Sequence, residues 1–429
     1  MKEGTAKKKN SDGENKGPVR RFLRCLGPGL VTGAADDDPS GIATYSMAGA
    51  KFGHSMLWTA LLTWPLMACT QFMCARIGMV TGVGISEVFR KKFPRWLLGL
   101  MCLGLLAANA INIGADLSGM ADAAQMLFGL DSKVSSTLFG VGIAAATVLF
   151  KYRRIADTLK WLALVLFTYI VTAFLVSPDW AEVGRALVPK WPAHSEQWSM
   201  LVAILGTTIS PYLFVWQASQ EVEEMKANGQ TTRKERENAT ALELRDRKVD
   251  VGFGTLVSNL VMFFIILVTS LTLNRHGLTE IESTKQAAEA LKPLAGNAAY
   301  LLFSVGVIGT GLLAIPTLAG SAAYAFAETF RWKQGLDLKP TQARAFYAII
   351  VASTLLGVSL NFLGVNPIKA LFWSAVVNGV LAPFMMTGIV LVAADRKLMK
   401  GQPSSRLSLA IVSLTSLVMF AAAASLAVL

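Results

Sequence analysis

Residues 33–42 read GAADDDPSGI and place three adjacent carboxylates, a proline and a glycine inside an otherwise apolar stretch. Proline lacks a backbone N–H and clashes with the preceding turn, so one continuous helix cannot run through Pro39. Lipid offers no hydrogen bonds, and unwound backbone in a membrane must be buried in protein or line a wet cavity. The stretch therefore predicts two half-helices that meet inside the protein, with carboxylates whose burial is costly enough to indicate function.

The composition is that of a membrane protein. Of the 429 residues, 53% are hydrophobic and 16% are charged, with a mean hydropathy of +0.48. A membrane-spanning helix needs about 20 apolar residues. We predict an all-α polytopic membrane protein with about eleven such helices, near residues 26–50, 54–76, 97–120, 134–150, 156–176, 199–222, 251–273, 297–325, 343–361, 370–393 and 407–428.

The net charge of +12 follows the loops. Most Lys and Arg residues lie in the polar tail, residues 1–21, and in alternate loops. By the positive-inside rule, the N-terminus is cytoplasmic and the C-terminus extracytoplasmic, and we expect a bacterial inner membrane. The basic charge thus reflects orientation in the lipid bilayer, which excludes nucleic-acid binding. The tail itself is predicted to be disordered.

A second break stands at a matching position. In GTTISPYLFVWQ, residues 206–217, Ser210 and Pro211 stand in the sixth span as Asp38 and Pro39 stand in the first. Broken helices at equivalent positions of two inverted repeats indicate a substrate site of a secondary transporter. We therefore predict a leucine-transporter-like inverted five-plus-five repeat within residues 22–396, with repeat one near 26–176 and repeat two near 199–393. Residues 397–429 add a loop and an eleventh helix.

The residues at the two breaks suit a hard cation. The predicted ligands are the Asp38 carboxylate and the backbone carbonyls of Ala35 and Thr207, with Gly41 leaving room for a partly hydrated Mg²⁺. The hydroxyls of Ser40, Thr207, Thr208 and Ser210 are further candidates, directly or through water. No His, Cys or Met stands at either break, which disfavours soft metals such as zinc or copper. The metal is predicted as substrate, and no cofactor is expected.

Four segments resemble the NRAMP family of divalent metal transporters. They are FLRCLGPGLVTGAADDDPSGIATYSMAGAKFGHSMLW (22–58), CARIGMVTGVGISEVF (74–89), ADLSGM (115–120) and LGTTISPYLFVWQ (205–217). The resemblance covers roughly residues 21–395 in order. It implies eleven helices in an inverted repeat, with metal bound between the first and sixth.

The departures from the family pattern bear on the choice of ion. Asp38 and Pro39 match the family's metal-binding aspartate and its proline, whereas Gly41 replaces a coordinating asparagine. Thr207 takes the position whose carbonyl binds metal, and Ser210 replaces the methionine whose sulfur favours transition metals. Losing a soft ligand relaxes discrimination against hard ions. This pattern resembles the branch of NRAMP-related magnesium transporters.

Proton coupling is disfavoured by the same comparison. In proton-coupled members a histidine follows the sixth-helix proline, where this chain has Tyr212. Asn109 and Gly119 stand at two glutamate positions of the third helix, and only Asp116 remains. A carboxylate without a histidine partner supports a proton relay near neutrality only weakly.

Three polar residues keep two interpretations each. Asp36 and Asp37 either form a negative funnel that concentrates cations, or pair with Lys or Arg and cap the half-helix ends. Asn378 lies near the position of a family glutamine, which aligns with Ala375; it either contacts a hydrated ion or bonds to a neighbouring helix.

The sequence therefore predicts a divalent cation transporter, not an enzyme, that carries Mg²⁺ and tolerates Mn²⁺ by alternating access without proton coupling. One alternative is a proton-coupled Mn²⁺ or Fe²⁺ importer. Another is a sodium-coupled symporter of an organic solute on the same architecture. The sequence leaves the oligomeric state open, and a monomer is compatible with it.

Overall fold

The computed structural model describes Cys25, residues 27–150 and residues 162–428. The tail predicted to be disordered, residues 1–21, lies outside this range, as does the beginning of the fifth predicted span. Within the described ranges, all regular secondary structure is helical.

A helix lies over each of the predicted spans. The helices are α1a (Pro28–Asp36), α1b (Pro39–Phe52), α2 (Leu57–Thr81), α3 (Arg95–Phe128), α4 (Ser132–Leu149), α5 (Thr168–Val176), α6a (Ser195–Thr208), α6b (Pro211–Ala227), α7 (Ala241–Thr272), α8 (Ala299–Phe330), α9 (Arg344–Leu360), α10 (Pro367–Ala393) and α11 (Arg406–Val428). In the described part, eight helical segments are long and apolar enough to cross a membrane. A ninth results if Pro39–Thr81 and Ile85–Lys92, which are bent by 78°, count as one span. The total of eleven stays a prediction.

Both predicted breaks are present, and each has the same local cause. Pro39 begins α1b and Pro211 begins α6b, and proline is tolerated at the first position of a helix because its missing N–H would be unpaired there. Asp38 and Ser210 precede them as N-caps in extended backbone conformation. The chain therefore restarts a helix at each proline, and the two half-helices of each pair are separate segments.

Glycines bring the broken helices into direct backbone contact with their neighbours. Gly33 of α1a packs on the backbone of Gly254 of α7, and Gly206 of α6a packs on the backbone around Ala375 and Gly379 of α10. A side chain at Gly33 or Gly206 would overlap these backbone atoms. The half-helices are thus seated closely on α7 and α10, with the two breaks facing each other in the interior.

Candidate metal site

Asp38 is held by hydrogen bonds from two helices at the first break. As the N-cap of α1b, its Oδ1 accepts from the backbone N–H of Gly41 at 2.7 Å. Its Oδ2 accepts from the side-chain amide of Asn112 on α3 at 3.0 Å. The carboxylate is fully enclosed by protein. The predicted central ligand therefore has a fixed orientation in the protein interior.

Asn112 connects the first break to two other helices. Its amide nitrogen also donates to Asp116 at 3.3 Å, and its oxygen accepts from Ser40 at 3.2 Å and from Asn378 of α10 at 3.3 Å. Asp116 and Asn378, which the sequence left at the margin of the site, are thus linked to Asp38 through one residue. Sequence reasoning missed Asn112, although the spacing Asn112–Asp116 places two polar side chains on one face of an apolar helix.

Ser40 lies on the α10 side of the break. Its hydroxyl is 2.6 Å from that of Ser374, and it also faces the carbonyl of Leu371 at 3.2 Å.

Asn378 bonds to a neighbouring helix in this conformation, since its amide donates to Asn112 of α3. This is one of the two interpretations that the sequence left open. The oxygen of the Asn378 side chain is buried and has no hydrogen-bond partner among the described residues.

The second break presents oxygen atoms to the first. A Cβ built on Gly41 would lie 3.3 Å from the hydroxyl of Thr207 and 3.4 Å from the carbonyl of Asp36. The hydroxyl of Ser210 turns back and donates to the carbonyls of Gly206 at 2.6 Å and Thr207 at 2.8 Å. A side chain at Gly41 would therefore fit tightly between the two breaks.

The carbonyls predicted as ligands each accept one hydrogen bond. Tyr212 donates to the carbonyl of Ala35 at 3.1 Å, and Ser210 donates to that of Thr207. A carbonyl oxygen has two lone pairs, so one remains on each for a cation. Thr208 is engaged differently, since its hydroxyl donates to Ile204 at 2.7 Å and lies 3.3 Å from that of Tyr45.

Asp36 and Asp37 share one partner on α7. The hydroxyl of Ser258 lies 2.7 Å from Asp36 and 3.0 Å from Asp37, and both carboxylates are buried. Ion pairs to Lys or Arg, one of the predicted interpretations, are not seen for either residue within the described part of the chain. Because both carboxylates are enclosed, neither forms a solvent-facing funnel in this conformation.

The arrangement can bind a cation through oxygen. The groups that converge on the two breaks are carboxylate, carbonyl, hydroxyl and amide. Among the described residues, no three His, Cys, Asp or Glu side chains form a metal-binding group of their own. Any cation bound here would depend on Asp38 together with backbone oxygens, a ligand set that suits hard ions. In this conformation Asp38 is buried among its protein neighbours.

These features define a class: a helical membrane protein with two opposed helix breaks and a buried oxygen-lined site between them. Residues 29–429 match the family described as natural resistance-associated macrophage protein-like. The chain belongs to this family. The resemblance noted in the first, second, third and sixth helices is thereby confirmed.

Curated relatives cover most of the chain. The divalent metal cation transporter MntH of Caldanaerobacter subterraneus subsp. tengcongensis is 25% identical over 389 residues, covering 89% of this chain and 87% of that protein. MntH of Deinococcus radiodurans is 26% identical over 389 residues, covering 89% and 84%. MntH of Yersinia pestis is 28% identical over 315 residues, covering 71% and 73%.

Solved structures share the fold. A crystal structure of the Eremococcus coleocola manganese transporter has a TM-score of 0.76 at 16% identity and covers 96% of this chain and 88% of that one. Mhp1, a nucleobase-cation-symport-1 family transporter, has a TM-score of 0.57 at 15% identity, covering 94% and 91%. The predicted fold class, an all-helical membrane protein with an inverted repeat and broken first and sixth helices, is confirmed.

Proposed function

We propose that the protein transports divalent metal cations by alternating access, with Mg²⁺ as its principal substrate and Mn²⁺ as a second one. The observation that carries the proposal is the Asp38 carboxylate, which Gly41 and Asn112 hold at the first break, where Gly41 also lies against the Thr207 hydroxyl of the second break. Mg²⁺ prefers oxygen ligands and gives up its waters reluctantly, so it is bound through few carboxylates. Asp38 can supply one such carboxylate, with hydroxyl, carbonyl and amide oxygens close to it and Asp116 linked to it through Asn112.

The membrane potential can drive the proposed uptake, because the transported ion carries two positive charges. A divalent cation that enters a cell whose interior is about 100 mV negative gains about 4.6 kcal/mol, since each elementary charge contributes about 2.3 kcal/mol. This gain supports accumulation without protons. Tyr212, which stands where proton-coupled relatives have histidine, donates its hydroxyl to the carbonyl of Ala35 and has no role in this scheme as a proton carrier.

A second candidate is a proton-coupled manganese importer. The names of the relatives favour it, because they are MntH-type divalent metal cation transporters and a manganese transporter. The donor set does not separate Mg²⁺ from Mn²⁺, since carboxylate and carbonyl oxygens suit both ions. The two candidates differ in what enters the cell with the metal.

Metal entry into proteoliposomes tests both candidates. Vesicles hold a Mg²⁺ indicator or, separately, a dye quenched by Mn²⁺, and a second dye reports internal pH. Mg²⁺ entry without acidification, lost in Asp38→Ala and kept in the exposed control Asp131→Ala, supports the proposal. Entry of Mn²⁺ alone, or entry of either ion with acidification, supports the second candidate. Equal fluxes in wild type and Asp38→Ala would overturn both.

The proposed setting is a bacterial inner membrane, with the N-terminus in the cytoplasm and the C-terminus outside. The distribution of Lys and Arg supports this orientation. Alkaline phosphatase fused after residue 429 is active only outside the cytoplasm. An inactive fusion, with a fluorescent protein at the same position folding normally, would reverse the proposed orientation.

A further inference from the structure

We propose that Asn112 determines the ion selectivity of the site by fixing Asp38 as a ligand that coordinates through one oxygen, which excludes Ca²⁺. The inference rests on the proposed function, that of a divalent cation transporter, and names the side chain that sets its specificity. Asn112 is a positioning residue, because it acts on the ion through the Asp38 carboxylate.

The two oxygens of Asp38 are tied to different helices. Gly41, on the same half-helix, donates its backbone N–H to Oδ1 at 2.7 Å, and Asn112 on α3 donates to Oδ2 at 3.0 Å. Turning the carboxylate about its Cβ–Cγ bond would lengthen at least one of these hydrogen bonds. Hydrogen bonds to a charged group are the stronger ones in proteins. The plane of the carboxylate is therefore set by the protein before any ion arrives.

Asn112 is itself fixed. Its nitrogen donates to Asp38 and Asp116, and its oxygen accepts from Ser40 and Asn378, which uses the two donors and two acceptor positions of an amide. The side chain is fully buried. A flipped amide would place its oxygen against two carboxylates, so the orientation with nitrogen toward Asp38 is the favourable one.

The fixed carboxylate distinguishes cations by their coordination. Ca²⁺ takes six to eight oxygen ligands and commonly engages a carboxylate through both oxygens. Each oxygen keeps a lone pair beside its hydrogen bond, so the ion's position relative to the fixed carboxylate plane decides how many oxygens it engages. An ion that lies beside one oxygen engages Asp38 through that oxygen alone. To give such an ion both oxygens, Asp38 would have to turn and lose the bond to Asn112 or to Gly41. Mg²⁺ is smaller, is bound octahedrally and keeps several waters, so one carboxylate oxygen is enough. The geometry thus costs Ca²⁺ a ligand and costs Mg²⁺ nothing.

The test compares Ca²⁺ with Mg²⁺ in Asn112→Leu. Leucine has the same branching and the same number of side-chain heavy atoms but cannot donate to Asp38, so the carboxylate becomes free to turn. In proteoliposomes, the concentration of Ca²⁺ that halves Mg²⁺ uptake should fall about tenfold relative to the KM for Mg²⁺, the size expected for losing one hydrogen bond to a charged group. Asn112→Gln, which keeps the amide, should shift this ratio less than Asn112→Leu.

Asn109→Leu is the matched control. Asn109 lies one turn earlier on α3 and is also fully buried, but its amide donates to Leu318 and Ser321 of α8, both at 2.8 Å, and not to Asp38. A general loss of packing in α3 would lower the amount or the maximal rate of both variants. Only the bond to Asp38 predicts a changed ratio of Ca²⁺ to Mg²⁺ in Asn112→Leu alone.

The outcomes separate this inference from the proposed function. An unchanged ratio in Asn112→Leu, with Mg²⁺ uptake still measurable, overturns the role of Asn112 and leaves transport intact. Wild-type protein that carries no divalent cation overturns the proposed function instead. If Asn112→Leu does not fold, Asn112→Ser serves in its place, because its short hydroxyl cannot bridge Asp38 and Asp116; an unchanged ratio there is equally decisive.

Discussion

Asp250 of α7 accepts a hydrogen bond at 2.8 Å from the backbone N–H of Gly29, in the first turn of α1a. The same carboxylate accepts from the N–H groups of Gly27 at 2.8 Å and Leu30 at 3.1 Å, so it satisfies donors that a helix N-terminus leaves unpaired. Arg247 pairs with this carboxylate at 2.6 Å. α1a, which the break at Asp38 separates from α1b, is therefore anchored to α7 at its other end.

Arg247 extends the anchor to α6b. It also pairs with Glu221 at 2.8 Å and with Glu224, and Glu221 accepts from Gln217 at 2.7 Å. Breaking one partner of a buried ion pair is costly because the remaining charge is left uncompensated. Movement of α1a away from α7 would have to break this cluster.

Asp250→Asn should loosen α1a. The variant keeps an acceptor but loses the charge that pairs with Arg247 and strengthens the bonds to the α1a backbone. Losing hydrogen bonds to a charged group lowers the opening free energy by about 1.5–3 kcal/mol, so amide exchange in residues 27–36 should accelerate at least about tenfold. Hydrogen exchange with mass spectrometry measures this. Asp246→Asn, one turn earlier on α7, is the control, and equal exchange in both variants would contradict the prediction.

Gly33→Ala should destabilise the protein through overpacking. Its methyl group would meet the backbone of Gly254, which cannot move as a flexible side chain would. Overpacking of this kind costs about 1–3 kcal/mol. Gly252→Ala on α7 is the matched control, because no atom lies within 4 Å of the added methyl group; it should be neutral or stabilising. Thermal unfolding of purified protein in detergent compares the two, and equal Tm values would show that the contact is not tight.

Ser258→Ala should leave two buried carboxylates without their shared donor. The hydroxyl bonds Asp36 at 2.7 Å and lies 3.0 Å from Asp37. A buried group that loses its partner costs about 1–3 kcal/mol, so the Tm should fall. Ser353→Ala is the control: its hydroxyl bonds only carbonyls of its own helix, Ile349 and Ile350. A Tm loss no larger than that of the control would mean that the two carboxylates find other partners.

Ser210→Met should shift selectivity toward soft metals. The thioether adds the ligand type that cadmium and other soft transition-series ions favour, and it removes the hydroxyl that occupies the Thr207 carbonyl. Cd²⁺ should therefore inhibit Mg²⁺ or Mn²⁺ uptake at a concentration about tenfold lower than in wild type, a difference of about 1.4 kcal/mol. Ser210→Ala removes the hydroxyl without adding sulfur. Equal Cd²⁺ inhibition in the two variants would exclude sulfur coordination at this position.

Local chemistry in the sequence was sufficient for the helices and their breaks. The apolar runs predicted where helices lie, and Pro39 and Pro211 predicted where two of them stop, because a missing N–H acts within one turn. Asp38 was identifiable as a candidate ligand from its neighbours in the chain. A carboxylate at a helix break inside a membrane is costly to bury, and its presence there indicates a function. These inferences need only neighbours along the chain.

Only the tertiary structure decided which groups meet across the chain. Asn112 reaches Asp38 from 74 residues away, and Ser258 reaches Asp36 from 222 away. Asp250 caps α1a from 221 residues beyond Gly29. Such pairings depend on how the helices pack. The sequence shows which polar side chains lie on apolar helices, but it does not show which residue of another helix each one contacts. The sequence alone predicted a candidate site of oxygen ligands at a helix break, whereas the fold determined how the Asp38 carboxylate is oriented and how the preceding half-helix, α1a, is anchored.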